Sequence, residues 1–124
     1  MDLQKQAEEF RHYFEVHNSC DGRDMQFTLV EEEFNEFRNA HLQMFDSFDG
    51  QASALKELAD LVYVCYQYAE NMEWDLNEAM TRVHNSNLSK LDDSGKPIRR
   101  EDGKVLKGPK YTPPYLHDLT NNIC

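Results

Sequence analysis

The segment from about Ser53 to Met72 constrains this chain more than any other. Leu55, Leu58, Ala59, Leu61, Val62, Val64, Cys65, Tyr66, Tyr68, Ala69 and Met72 recur so densely that they cover most of a helix's circumference. A helix that is apolar nearly all round belongs at the centre of a bundle or in a subunit interface. The same segment nevertheless carries Glu57 and Asp60, one turn apart and flanked by Leu61 and Val64. Carboxylates in that company are costly to desolvate unless they are paired or bind a cation.

A second acidic set lies on the preceding segment. With Asp24 as its expected N-cap, a helix is predicted to run to about Phe45. Phe27, Val30, Phe34, Phe37, His41 and Met44 follow a 3-4-3-4-3 spacing, which reads as one continuous core seam. Glu33 lies at the edge of that seam, with Glu36 and then Glu32 further round, whereas Glu31 reads as solvated. Residues three and four apart converge on a helix, so Glu33 and Glu36, and Glu32 and Glu36, can act together. If this set faces Glu57 and Asp60, the two helices enclose an oxygen-rich, strongly negative pocket. Such a pocket suits a hard divalent ion, Mg²⁺ or Mn²⁺, which recruits substrate phosphates and activates water. An ExxE or ExxD spacing alone occurs on any solvated helix face; two pairs on neighbouring helices say more. A di-iron carboxylate bundle would use similar acids with two Glu-x-x-His motifs. Only Glu9 to His12 has that spacing, on a different segment. His12 and His84 read as satisfied interface histidines.

The rest of the chain supplies partners for these helices. Leu3, Ala7, Phe10 and Phe14 predict an amphipathic helix from Leu3 to about His17, followed by a turn at Asn18–Gly22. Asp75 and Glu78 have capping-box spacing at the start of a fourth helix, whose core side carries Leu76, Ala79, Met80, Val83 and Leu88. Asn87 and Lys90 sit one turn apart near its end. Asp102-Gly103 between two short half-apolar runs signals a hairpin, and Pro113-Pro114 precludes further helix. The expected fold is all-α, a four-to-five-helix bundle with a short C-terminal β-hairpin and extended tail. It forms one domain, with residues 1–92 as the helical catalytic part and 93–124 as a basic hairpin and extended segment of the same domain.

Charge separates these two parts. The 124 residues carry a net −10, yet the stretch from Ser94 to Tyr111 is +4 and the remainder therefore −14. An acidic body argues against wrapping duplex nucleic acid, where phosphate contacts dominate. An acidic body with a basic C-terminal segment suits metal cations together with an anionic small ligand, although charge alone favours solvated charge with a disordered tail. No apolar run approaches 18 residues, so no membrane-spanning helix is expected. Met1 to Gln6 is polar and lacks a signal-peptide apolar region. Cys20, Cys65 and Cys124 have no zinc or CxxC spacing and read as free thiols in a reducing cytosol, with Cys65 in the core.

These residues also carry a resemblance. Glu32-Glu33-x-x-Glu36 followed by Glu57-Leu58-Ala59-Asp60 resembles the EExxE…ExxD signature of the MazG-like all-α nucleoside triphosphate pyrophosphohydrolases. Arg82 to Lys90, reading RVHNSNLSK, is similar to the helix that follows in that family. Gly95 to Lys107 resembles the next segment in short phage-type members described as similar to phosphoribosyl-ATP pyrophosphohydrolase. The resemblance covers about Phe10 to Tyr115, and four blocks in order are far more specific than either acidic pair. The loop from Asp46 to Ala54 matches no fixed family pattern.

The resemblance implies hydrolysis between the α- and β-phosphates of a (deoxy)nucleoside triphosphate, giving a monophosphate and pyrophosphate for nucleotide-pool control. It implies Glu33, Glu36, Glu57 and Asp60 as ligands of Mg²⁺ or Mn²⁺, and Glu32 as a further ligand or the orienter of the attacking water, so that Glu32 and Glu33 are the catalytic pair. Asn87 and Lys90 would contact the nucleotide, and Arg100, Lys104 and Lys107 its phosphates. It further implies a homodimer or dimer of dimers in a bacterial or phage-infected cytoplasm. Analogy with phage-type members puts dGTP first, with dCTP, dUTP or a phosphoribosyl-ATP-type substrate as alternatives. A reading from another class is a non-catalytic acidic helical protein that binds a basic partner.

Overall fold

The computed structural model describes residues 1–120 of the chain, in two compact units that meet in sequence between Leu76 and Asn77. The first unit holds α1 (Leu3–Tyr13), α2 (Arg23–Leu42) and α3 (Gly50–Asn71). Asp2 caps α1 by accepting from the Lys5 amide at 3.1 Å. The helix stops at Tyr13, short of the expected His17, because Glu15 takes a positive φ of 56° and turns the chain away. At α2 the N-cap is Gly22 and not Asp24. Asp24 lies within the first turn, where a negative charge still favours the helix N-terminus. The helix ends at Leu42, three residues before the expected Phe45.

Three residues earlier than Ser53, α3 begins at Gly50. A Cβ at Gly50 would lie 1.9 Å from the Met44 carbonyl oxygen, so glycine is what lets α2 and α3 close into a tight antiparallel pair. Helix α3 packs along α2 on one side and against α1 on the other. Ala7, Ala54, Tyr66, Ala69 and Met72 are the buried apolar residues of this unit, and Arg11, Gln26, Gln67 and Asn71 are buried beside them. Burial pushes the Arg11 pKa down, and the negative charge of Glu70 offsets this only in part. Arg11 donates from Nε to Asn18 Oδ1 at 2.6 Å, from Nη1 to Gln67 Oε1 at 3.3 Å, and from Nη2 to the His17 carbonyl at 3.2 Å and Asn71 Oδ1 at 2.9 Å. Asn71 also receives the Ser19 amide and donates to the Ser19 carbonyl. One polar cluster thus joins α1, the turn after it and the end of α3.

The expected core seam of α2 is only partly covered. Phe27 and Phe34 are 54% and 50% exposed, and on α3 Leu55, Leu58 and Val62 are exposed as well. The packing of α2 along α3, with α1 also against α3, leaves these side chains uncovered among the described residues. The thiols also differ from expectation. Cys65 is free and half-buried, and burial raises its pKa. Cys20 is disulfide-bonded, which overturns its reading as a free thiol. It stands exposed on the turn between α1 and α2; missing CxxC spacing excludes only local pairs. Cys124 lies outside the described residues.

The second unit holds nearly all of α4 (Leu76–Leu88), then β1 (Ile98–Arg99), β2 (Val105–Leu106) and a 3₁₀ turn at His117–Leu119. The strands pair antiparallel, Ile98 opposite Leu106 and Arg99 opposite Val105. Gly103, at φ 89°, makes the hairpin turn that Asp102-Gly103 signals. From Tyr111 the chain runs extended beside α4. Ser86 Oγ donates to the Thr112 carbonyl at 2.7 Å, and the Thr112 amide donates to Ser89 Oγ at 3.0 Å. Arg82 closes the strap with a two-pronged bond to Asp118, at 2.6 and 3.0 Å. Four helices and a C-terminal hairpin make the chain all-α in class, as the spacing predicts. No helix among the described residues is long and apolar enough to cross a membrane.

Candidate metal centre

Carboxylates converge where the middle of α2 meets the first half of α3. Glu33, Glu36 and Glu57 each offer an oxygen, and these oxygens lie within 4.8 Å of one another. The convergence follows from local sequence: Glu33 and Glu36 project from adjacent turns of α2, and the tight turn at Gly50 brings Glu57 alongside. Oε2 of Glu33 and Oε2 of Glu57 are shielded from solvent and have no hydrogen-bond partner. Shielding raises the Glu33 pKa first, and the neighbouring Glu36, Asp60 and Glu57 raise it further, to about 7. The Glu33 and Glu36 carboxyls are within hydrogen-bond reach of each other. Three carboxylates with two orphaned buried oxygens are what a hard divalent cation requires, so the donor set fits Mg²⁺ or Mn²⁺.

Asp60 is near this group but engaged elsewhere. Its negative charge reaches Glu33, yet its Oδ2 accepts from Lys56 Nζ at 2.7 Å. The same ammonium stands 3.4 Å from Glu57 Oε1. The two carboxylates raise the Lys56 pKa to about 12, Asp60 contributing most. Lys56 is absent from the sequence expectation. Its i, i+4 spacing to Asp60 was the signal available. Glu32 is exposed on α2 outside the three-glutamate cluster. A recess of about 460 Å³ opens beside Glu36 and Glu57, lined also by Asn39, Gln43, Ser47 and Ser53.

The five other expected site residues are in the second unit. Asn87 is exposed on α4 and Lys90 half-buried just beyond it. Arg100 is bound to Asp102 through Nε at 3.0 Å and Nη2 at 2.5 Å, which stiffens the hairpin turn. Lys107 lies over the Tyr111 ring, 4.8 Å from its centroid. Lys104 is exposed at the start of the second strand run. On the other face of α4 a groove of about 530 Å³ lies between the helix and the strap, lined by Arg82, Ser86, Thr112 and Tyr115 among others.

Comparison with known protein families places the chain among relatives. The family model described as phosphoribosyl-ATP pyrophosphohydrolase matches residues 2–87. No curated protein matches the chain. The matched region contains every acidic candidate and Asn87, and ends before Lys90 and the hairpin. It takes in more than half of the chain, and the chain belongs to the phosphoribosyl-ATP pyrophosphohydrolase family, in the MazG-like all-α nucleoside triphosphate pyrophosphohydrolase superfamily of acid-anhydride hydrolases.

Proposed function

We propose that this pyrophosphohydrolase is a metal-dependent (deoxy)nucleoside triphosphate pyrophosphohydrolase that releases a nucleoside monophosphate and pyrophosphate. The observation that carries the reading is the cluster of Glu33, Glu36 and Glu57 with two shielded, unpartnered oxygens. Glu33, Glu36, Glu57 and Asp60 would hold Mg²⁺ or Mn²⁺. Such an ion, when bound, polarises phosphoryl oxygens and lowers the pKa of a coordinated water.

The chain's own residues then have distinct tasks. Glu33 and Glu36 stand as paired carboxyls on one face of α2, and the raised pKa of Glu33 lets it hold or release a proton near neutral pH. Glu32, exposed one residue away, would orient the attacking water and receive its proton. Water's oxygen forms the new bond to the α-phosphorus, the bridging bond to the β-phosphate breaks, and pyrophosphate leaves with that electron pair. Asn87 and Lys90 would contact the nucleotide, and Arg100, Lys104 and Lys107 the phosphates. For Arg100 and Lys107 that role means exchanging Asp102 and the Tyr111 ring for phosphate oxygens. The recess beside Glu36 and Glu57 is of a size that takes part of a nucleotide.

The remaining parts of the reading follow the resemblance and the exposed surface. Deoxynucleotides, dGTP first, are the preferred substrates by analogy with short phage-type members, and dCTP, dUTP and phosphoribosyl-ATP complete the panel. The exposed Phe27, Phe34, Leu55 and Val62 support a homodimer or a dimer of dimers that buries them. Residues 1–92 form the catalytic part of one domain and 93–124 supply its cations. A role in nucleotide-pool control would put the protein in the cytoplasm.

The test is incubation with each triphosphate and Mg²⁺ or Mn²⁺, followed by product separation. Monophosphate and pyrophosphate in equal amounts are expected. Absence of hydrolysis across the whole panel would reject the reading in favour of an acidic binding protein.

A further inference from the structure

Glu57 is divided between two environments. Its Oε2 is shielded inside the three-glutamate cluster without a partner, while its Oε1 faces the Lys56 ammonium at 3.4 Å. Asp60, next along the same face, is held by that ammonium at 2.7 Å and is not gathered with the glutamates. The Lys56 side chain is 66% exposed, against 20% for Glu57, so it reaches over the cluster from the solvent side. An ion pair that open is weak and easily exchanged. Lysine adds a compact charge on a flexible stem, which swings without disturbing its helix.

We propose, on the reading of this cluster as a divalent-metal centre, that Lys56 is a tethered counter-ion which neutralises Glu57 and Asp60 until a divalent ion displaces it, and which then binds the polyphosphate of the substrate. The displaced ammonium stays within a side chain's length of the cluster, because it is anchored on the residue before Glu57. A triphosphate bound at the cluster brings several negative charges to that place, and lysine serves such groups as a point charge. Lys56 therefore opposes metal binding to the empty site and favours it when nucleotide is present. The result is a site that charges with metal and nucleotide together.

Calorimetric titration with Mn²⁺ tests this on the full chain, with wild type, Lys56→Gln and Lys5→Gln. Lys5 is an exposed lysine on α1 and controls for loss of one charge. Without nucleotide, Lys56→Gln is expected to bind Mn²⁺ about fivefold more tightly than wild type, the scale of an exposed ion pair. With Mn²⁺ saturating, it should bind an α,β-imido deoxynucleoside triphosphate about tenfold more weakly, the scale of one charge-assisted hydrogen bond. Lys5→Gln should match wild type in both. Equal Mn²⁺ affinity for wild type and Lys56→Gln, equal tightening by Lys5→Gln, or unchanged analogue binding each overturns the proposal. Failure of the wild type to bind Mn²⁺ at all instead overturns the metal-centre reading beneath it.

Discussion

Arg11 Nη2 and Asn71 Oδ1 meet at 2.9 Å between two buried side chains sixty residues apart. Removing the amide leaves a buried guanidinium with fewer acceptors, and strands both the Ser19 amide and its carbonyl. Asn71→Ala should therefore cost about 3 kcal/mol, in the range seen when one member of a buried charged network is lost. Arg11→Met, which removes the charge itself, should cost less. Urea unfolding of both variants measures the difference. A smaller loss in Asn71→Ala than in Arg11→Met would contradict the account.

Metal-centre substitutions separate catalysis from folding. Glu57→Gln and Asp60→Asn keep side-chain size and remove charge from an already crowded negative cluster. Turnover should fall about 100-fold or more, the scale of losing one preorganised electrostatic group. Circular dichroism and melting temperature should be unchanged or improved. Turnover near wild type in either variant would remove that residue from the site.

The raised Glu33 carboxyl makes a pH prediction with a defined sign. Its pKa lies at about 7 in the folded chain against 4.5 for an unperturbed glutamate. Between those values the folded state holds a proton that the unfolded state has released, so stability falls as pH rises. The contribution is full below pH 4.5 and is lost through pH 7. The wild type should thus lose melting temperature relative to Glu33→Gln over that interval in a chelating buffer. Saturating Mn²⁺ at pH 7.5 should recover it in the wild type more than in the variant, since a ligand stabilises only what binds it. Parallel pH curves for the two proteins would show that Glu33 is not the titrating group.

How far the sequence could be read depends on the range of each interaction. Glu33, Glu36 and Glu57 were legible because i, i+3 spacing fixes neighbours on one helix, and an apolar α3 left its acids few alternatives. The hairpin was legible for a similar reason: Asp102-Gly103 needs only its own turn. The start of α3 was missed by three residues because it is set by contact between Gly50 and the Met44 carbonyl, which no periodicity encodes. The Arg11–Asn71 cluster was invisible because its partners come from separate segments. Asp60, placed by its ExxD spacing beside Glu57, has a charge that reaches Glu33 but lies outside the three-glutamate group. Its capture by Lys56 follows an i, i+4 spacing that permits the pair without requiring it. The α2 seam shows the converse limit. Spacing identifies an apolar face but not what covers it, so Phe27 and Phe34 were read as core and are half exposed.

That exposed face gives the last prediction. Phe34 and Phe27 on α2, with Leu55, Leu58 and Val62 on α3, are large apolar residues left exposed on two paired helices. Isolated exposed apolar residues are ordinary, but several large ones on two paired helices mark an interaction site. If a second copy covers this face, placing a charge there costs the desolvation of an unpaired ion in the dimer and nothing in a monomer. Phe34→Arg and Val62→Arg should each shift the chain to monomer in light scattering behind size exclusion, at concentrations where the wild type is dimeric or larger. Secondary structure should be retained, because both side chains already meet solvent in the single chain. A wild type that is monomeric at micromolar concentration, or a variant that dimerises as well as the wild type, would exclude this face as the interface.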